Sequence, residues 1–179
     1  DGVLDTCQFP LGSEVRAFEQ ECAAFCHGKH GVAVNTGTGA LHLALLGCGV
    51  GAGDEVVVPA HTFIATAEAV CHCGGTPVFV PSEQKEGFRL LAEAVRPLIT
   101  PRTKVLIVNS PANPTGCGLE RLELEALAAL AIERGLFVVS DEIYEPLTYD
   151  GFRHVSIASL GPEIKKRTLV VNGFSKSYS

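Results

Sequence analysis

The sequence contains no methionine and no tryptophan, and aromatic residues make up only 7% of it. Because Met is missing from position 1 as well, and because the chain stops at Ser179 just after a motif, we expect a fragment at both ends. Positive charge is scarce. The 14 Lys+Arg against 20 Asp+Glu leave a net charge of −6, which argues against nucleic acid or an anionic membrane as the main partner. No apolar run reaches the roughly 18 residues of a membrane span, and no signal peptide is visible at the start. With 46% hydrophobic and 19% charged residues, the chain is too apolar to be disordered and long enough for one domain with a substantial core.

The seven cysteines form an odd set: Cys7, Cys22, Cys26, Cys48, Cys71, Cys73 and Cys117. Most fall in apolar, helix-like stretches, where a thiol packs as a small hydrophobe. A disulfide framework is not expected, and a reducing cytoplasm fits this composition. Cys22, Cys26 and His30 share a helix face at i, i+4 and i+8, but a metal there would need a fourth ligand. Cys71-His72-Cys73 is too tight for ordinary zinc spacing and reads as core. No metal site is expected.

Strand-like and helix-like runs alternate along the chain. A helix is expected from Glu14 to about Cys26, with Ser13 as its N-cap. Val32–Val34 is a strand candidate, followed by a helix over Ala40–Cys48. Glu55–Val58 reads as strand, Thr62–Cys73 as helix, Pro77–Val80 as strand and Leu90–Leu98 as helix. Lys104–Asn109 is an apolar, β-branched strand. Glu120–Arg134 is the clearest helix, stopped by Gly135. Leu136–Ser140 and Thr168–Asn172 are the last strands, and the loop Pro81–Phe88 is polar and expected to be exposed. Strands that read as continuous apolar runs, joined by short helical crossovers, imply a mostly parallel sheet in an α/β fold.

Ligands bind a parallel sheet along the edge where its strands end. The strand ends deliver Asn35-Thr36-Gly37-Thr38-Gly39, Pro59-Ala60-His61-Thr62-Phe63 and Ser110-Pro111-Ala112-Asn113-Pro114-Thr115-Gly116. Two more deliver Asp141-Glu142-Ile143-Tyr144 and Gly173-Phe174-Ser175-Lys176. Gly37 and Gly39 let backbone N–H groups approach an anion at a helix start, and Thr38 adds a hydroxyl. Phe63 can stack on a flat ring. Asn113, held out of helix by Pro114, can hydrogen-bond a ligand hydroxyl. Asp141 ends an apolar strand, where a carboxylate is costly without a partner. A protonated ring nitrogen is one such partner. Tyr144 can reach the same ligand, and Lys176 sits in a small-residue loop after a buried strand. Each feature also has a plain structural use: a glycine turn, a core ring, an Asn-Pro turn, a capping carboxylate, a packed phenol, a solvated lysine. Their collection on one edge is far more specific than any of them alone.

Asn113-Pro114-Thr115-Gly116, Asp141-Glu142-Ile143-Tyr144 and Gly173-Phe174-Ser175-Lys176 resemble the three signatures of class I/II aminotransferases, the aspartate aminotransferase fold of pyridoxal-phosphate (PLP) enzymes. The run Thr36–Leu45, then Gly53–Pro59 and Thr62–Ala67, resembles the DegT-type sugar aminotransferases, which share that fold and cofactor. The resemblance covers nearly the whole chain from Leu11 onward. It implies a three-layer α/β/α large domain with a mostly parallel sheet, truncated at both ends. Residues 1–30 would form a helical segment and residues 31–179 an incomplete PLP-binding domain without its C-terminal small domain.

By the same resemblance, Lys176 would carry PLP as a Schiff base, as a buried lysine of lowered pKa, and would serve as the catalytic base. Asp141 would pair with the pyridine N1–H. Asn113 and Tyr144 would contact the ring's 3-oxygen, and Phe63 would stack on the ring. Gly37, Thr38 and Gly39 would hold the phosphate, with Ser175 beside them. The family often has Ser or Thr where Gly173 stands, so one phosphate hydroxyl is expected to be missing. A phosphate-gripping Arg soon after the lysine and the Arg for the substrate carboxylate would lie beyond Ser179, so the fragment alone is expected to be inactive. The implied activity is transfer of an amino group between an amino acid and a 2-oxo acid by a cytoplasmic homodimer. The alternatives are another reaction on the same scaffold, namely a β-lyase, a decarboxylase or a sugar aminotransferase, or a non-catalytic regulatory domain.

Overall fold

A computed structural model describes residues 2–7, 11–82 and 87–178. The chain divides into two compact units, Asp1–Asn35 and Thr36–Ser179.

The first unit holds α1 (Gly2–Thr6) and α2 (Ser13–Phe25). Ser13 is the first residue of α2, not its cap. Gly12 takes the N-cap position and has no side chain to offer the helix. Val32–Val34 does not form the expected strand. The Ala33 N–H is taken by the Glu19 carboxylate at 2.8 Å, so it has no ladder to join, and Val32 stays 77% exposed. A Cβ on Gly31 would lie 2.5 Å from the Glu19 carbonyl oxygen, so only glycine lets the backbone pass this close to α2.

The second unit contains a five-stranded, wholly parallel sheet of order β2-β1-β3-β4-β5. Its strands are β1 (Glu55–Pro59), β2 (Thr76–Val80), β3 (Thr103–Asn109), β4 (Phe137–Asp141) and β5 (Thr168–Val171). Alternation along each strand sends side chains to two faces. Val56, Val58, Val105, Ile107, Val139 and Val171 pack under α3 (Gly37–Gly47) and α4 (Ile64–His72). Val57, Leu106, Val108 and Val138 pack on the other face against α5 (Ala92–Val95), α6 (Arg121–Arg134) and α7 (Pro162–Lys165). The three-layer α/β/α expectation therefore holds. Among the described residues no helix is long and apolar enough to cross a membrane.

Element ends moved for local reasons. The helix expected from Thr62 begins at Ile64 because Phe63, with φ −67° and ψ 140°, is still extended and acts as the N-cap. The Leu90–Leu98 run splits into α5 and a 3₁₀ turn at Arg96–Leu98, where Pro97 enters. The 3₁₀ turn Ile157–Ser159 and α7 were not anticipated. Of the loop 81–88, residues 83–86 lie outside the described residues; Phe88 is half-buried, its ring 4.4 Å from that of His61.

The cysteines are less uniformly internal than expected. Cys48 is buried, whereas Cys7, Cys26 and Cys71 are exposed and Cys22, Cys73 and Cys117 lie between. Of Cys71-His72-Cys73, which closes α4, the first two are exposed, and only Cys73 packs against the core as expected.

Candidate active site

Chain direction reverses between β1 and β3. From β1 the chain moves outward to β2, then crosses back over β1 to β3 and continues outward through β4 and β5. Such a switch point leaves a crevice at the carboxyl ends of the strands. The β3–β4–β5 register puts Asn109, Asp141 and Val171 in one row at that edge. α3 runs opposite to the strands, since its C-terminus leads into the start of β1, so its N-terminus lies toward the same edge.

Three loops meet there through specific bonds. After β3, the backbone passes Ser110-Pro111 and Asn113-Pro114, both cis. The Asn113 Nδ2 donates to the Tyr144 hydroxyl at 3.2 Å, joining the β3 and β4 loops. After β1, the Thr62 hydroxyl donates to Asn109 Oδ1 at 3.3 Å. Phe63 follows it and is 55% exposed. After β5, Gly173 lies so close to Ile143 that an added Cβ would meet the Ile143 Cδ1 at 3.1 Å.

Asp141 is half-buried at the end of β4. Desolvation pushes its carboxyl above the ordinary 3.8, the Ile143 N–H pulls it back, and the neighbouring Glu142 charge raises it again. Its carboxylate accepts one hydrogen bond, from the Ile143 N–H at 3.3 Å, and no cation lies within ion-pair distance among the described residues. So Asp141 does cap the following turn, yet remains short of a positive partner. Glu142 is the opposite case. Only 3% exposed, it accepts from Ser140 and Ser156 at 2.8 Å each and pairs with His154 Nε2 at 3.0 Å.

Of the phosphate candidates, Gly37 and Thr38 open α3. The Gly39 N–H already donates to the Thr36 N-cap hydroxyl at 3.0 Å. Ser175 and Lys176 lie on the turn after β5, closed by Ser177 and Tyr178 N–H bonds to the Phe174 carbonyl. The lysine expected to be buried is exposed, because that turn has left the sheet and no described layer covers it. Sequence reasoning passed over Asn109, Glu142 and His154. A polar residue closing an apolar strand was a usable signal for Asn109; His154 offered no local one.

These residues fit PLP. Asp141 lacks a cation and the pyridine N–H is one. Asn113 and Tyr144 put an amide and a phenol together where one ring oxygen could meet both. A helix start with glycine and threonine suits a phosphate.

The chain resembles known proteins accordingly. It is 47% identical over 127 residues to an aspartate aminotransferase of Geobacillus stearothermophilus, covering 71% of this chain and 32% of that protein. The solved aromatic aminotransferase from Pyrococcus horikoshii OT3 matches with a TM-score of 0.74 and 42% identity, over 78% of this chain and 37% of that one. The Thermus thermophilus aspartate aminotransferase with maleate matches at 0.70 and 44%, over 76% and 35%. The chain thus spans about a third of the length of the relatives it matches. Residues 1–143 match a model of one family, and with the sheet edge built as described, the chain belongs to that DegT/DnrJ/EryC1/StrS aminotransferase family.

Proposed function

We propose that the protein carrying this chain is a PLP-dependent aminotransferase that moves an amino group between an amino acid and a 2-oxo acid. The observation that carries this reading is the under-partnered Asp141 carboxylate beside the Asn113–Tyr144 pair on one sheet edge. Asp141 would hold a proton on the ring nitrogen, and Asn113 and Tyr144 would donate to the 3-oxygen. Phe63 would cover a ring face. Gly37 and Thr38 would bind the phosphate, with Ser175 and the more occupied Gly39 in support. When bound, PLP supplies an electron sink for charge developing at the amino acid's α-carbon. Lys176 would hold the cofactor covalently through Nζ, and its freed neutral amine would be the general base for the α-proton.

The names of the relatives favour acidic or aromatic amino donors. We further infer a homodimer in the cytoplasm. Exposed Leu43, Leu46 and Ile64 on α3 and α4 support an apolar contact surface, and seven free thiols support a reducing compartment. Residues 31–179 would be the cofactor-binding part, with residues 1–30 an N-terminal helical segment.

The test is direct. Full-length protein mixed with PLP should gain an absorbance band at the visible edge that borohydride fixes to Lys176. Lys176→Ala should lose it, and a band that survives this substitution would overturn the proposal.

A further inference from the structure

We infer that Asn109 is the positioning residue of this site, locking the β1, β3 and β4 exit loops into one arrangement through its side-chain amide. The inference rests on the proposed PLP chemistry for its function, but its geometry stands by itself. Asn109 is the last residue of β3 and only 6% exposed. Its Oδ1 accepts from the Thr62 hydroxyl at 3.3 Å and from the Asn113 N–H at 3.2 Å. Its Nδ2 donates to the Asp141 carbonyl oxygen at 3.3 Å. The Asn113 N–H and the Asp141 carbonyl fix which way the amide faces, since the reversed orientation would oppose like groups at both.

Each partner adjoins or is a candidate cofactor contact. Thr62 precedes Phe63. The Asn113 backbone N–H is held by Asn109, while its side-chain Nδ2 donates to Tyr144. The Asp141 carbonyl belongs to the residue whose carboxylate would meet the ring nitrogen. No other side chain among the described residues bonds to all three loops. A buried amide whose bonds are made stiffens what it joins, and one left half-bonded is costly. Asn109 itself need not touch the cofactor. It acts by holding Asn113 and Asp141 at a fixed separation across the β3–β4 register.

The experiment uses the full-length protein with Asn109→Ala, Asn113→Ala and the double variant. Three quantities are read: PLP affinity of the cofactor-free protein, the pH midpoint of the bound cofactor's absorbance change, and hydrogen exchange at the Asn113 amide without cofactor. Asn109→Ala should weaken PLP about tenfold, the worth of one net hydrogen bond at the upper end. It should move the absorbance midpoint in the direction that Asn113→Ala does. The double variant should move it by less than the sum of the two single shifts, because part of the Asn109 effect passes through Asn113. Exchange at the Asn113 amide should accelerate about tenfold or more. Asn109→Asp keeps the Oδ1 acceptor but sets its second oxygen against the Asp141 carbonyl, so it should recover only part of that protection.

Shifts that add in the double variant, or an Asn109→Ala protein with unmoved affinity and midpoint, would overturn the inference. Should Asn109→Ala fail to fold, Asn109→Ser carries the same comparisons. Lys176→Ala, read in parallel, separates the failures. If it loses the band while Asn109→Ala changes nothing, the positioning role alone is wrong; if its band persists, the PLP reading beneath it is wrong.

Discussion

Asp141 carries an energetic cost at neutral pH. Burial raises its folded pKa above the ordinary 3.8, and the Ile143 N–H recovers only part of that. For an acid with a raised folded pKa, the penalty is fully present above the folded value and is relieved as pH falls through it toward 3.8. Asp141→Asn removes the charge and keeps an acceptor for the Ile143 N–H. The cofactor-free variant should therefore melt at a higher temperature than wild type at pH 7, with the gain shrinking as pH falls toward 4. PLP affinity should fall at the same time, since the ring N–H loses its anion. A melting temperature at pH 7 no higher than wild type would mean that the carboxylate is already satisfied without the cofactor. The sequence made Asp141, Asn113 and Tyr144 legible because each is polar and stands just past an apolar strand. It hid what holds them. Asn109 meets Thr62 across 47 positions and Asp141 across 32, and Glu142 finds His154 only after a turn that carries no repeating pattern.

Elements were most legible where a local signal coincided with tertiary packing. In α6 the Glu120–Glu123 capping box, the buried stripe Leu124, Leu127, Leu130 and Ala131, and the left-handed Gly135 stop all agree. Strands β1 and β3 were legible for a related reason: their middles, Val56–Val58 and Val105–Val108, are buried on both faces and wholly apolar. Val32–Val34 had the right composition but no neighbouring strand, and composition does not reveal a missing partner. The agreement in α6 has a testable consequence. Gly135 has φ 69° and ψ 22°, and its N–H bonds to Ala131 and Ile132 carbonyls. Nothing lies within 4 Å of a Cβ added there, so Gly135→Ala meets only backbone strain. It should cost about 1 kcal/mol, seen as a lower urea midpoint with an unchanged slope. An unchanged midpoint would show that the helix end relaxes out of the left-handed conformation.

Across the whole molecule the two edges of the sheet are built differently. At the carboxyl edge Asp141 has no cation within ion-pair distance among the described residues. At the amino edge Glu55 and Asp54 each have one. Glu55, which opens β1, accepts from Thr100 at 2.5 Å and from Arg102 Nε at 2.9 Å, and Arg102 also ion-pairs with it. Its neighbour Asp54 takes Lys104 Nζ at 2.8 Å and the Gly51 N–H at 2.8 Å. These contacts hold β1 against β3, the pair flanking the switch point. The Thr100 hydroxyl first, then Arg102, holds Glu55 below the usual 4.5 against the opposing effect of desolvation, and Lys104 holds Asp54 below 3.8. For acids with lowered folded pKa values, the stabilisation is whole above those ordinary values and is lost as pH falls through the lowered ones. The cofactor-free protein should accordingly lose urea resistance below about pH 4.5. Glu55→Gln should be weaker at pH 7, because Arg102 loses its anion, but should show a shallower decline in acid. Asp141→Asn should leave that acid decline in place, since its own effect has the opposite sign. If Glu55→Gln declines as steeply as wild type, the acid sensitivity does not come from the amino edge, and this division of labour between the two ends of the sheet is wrong.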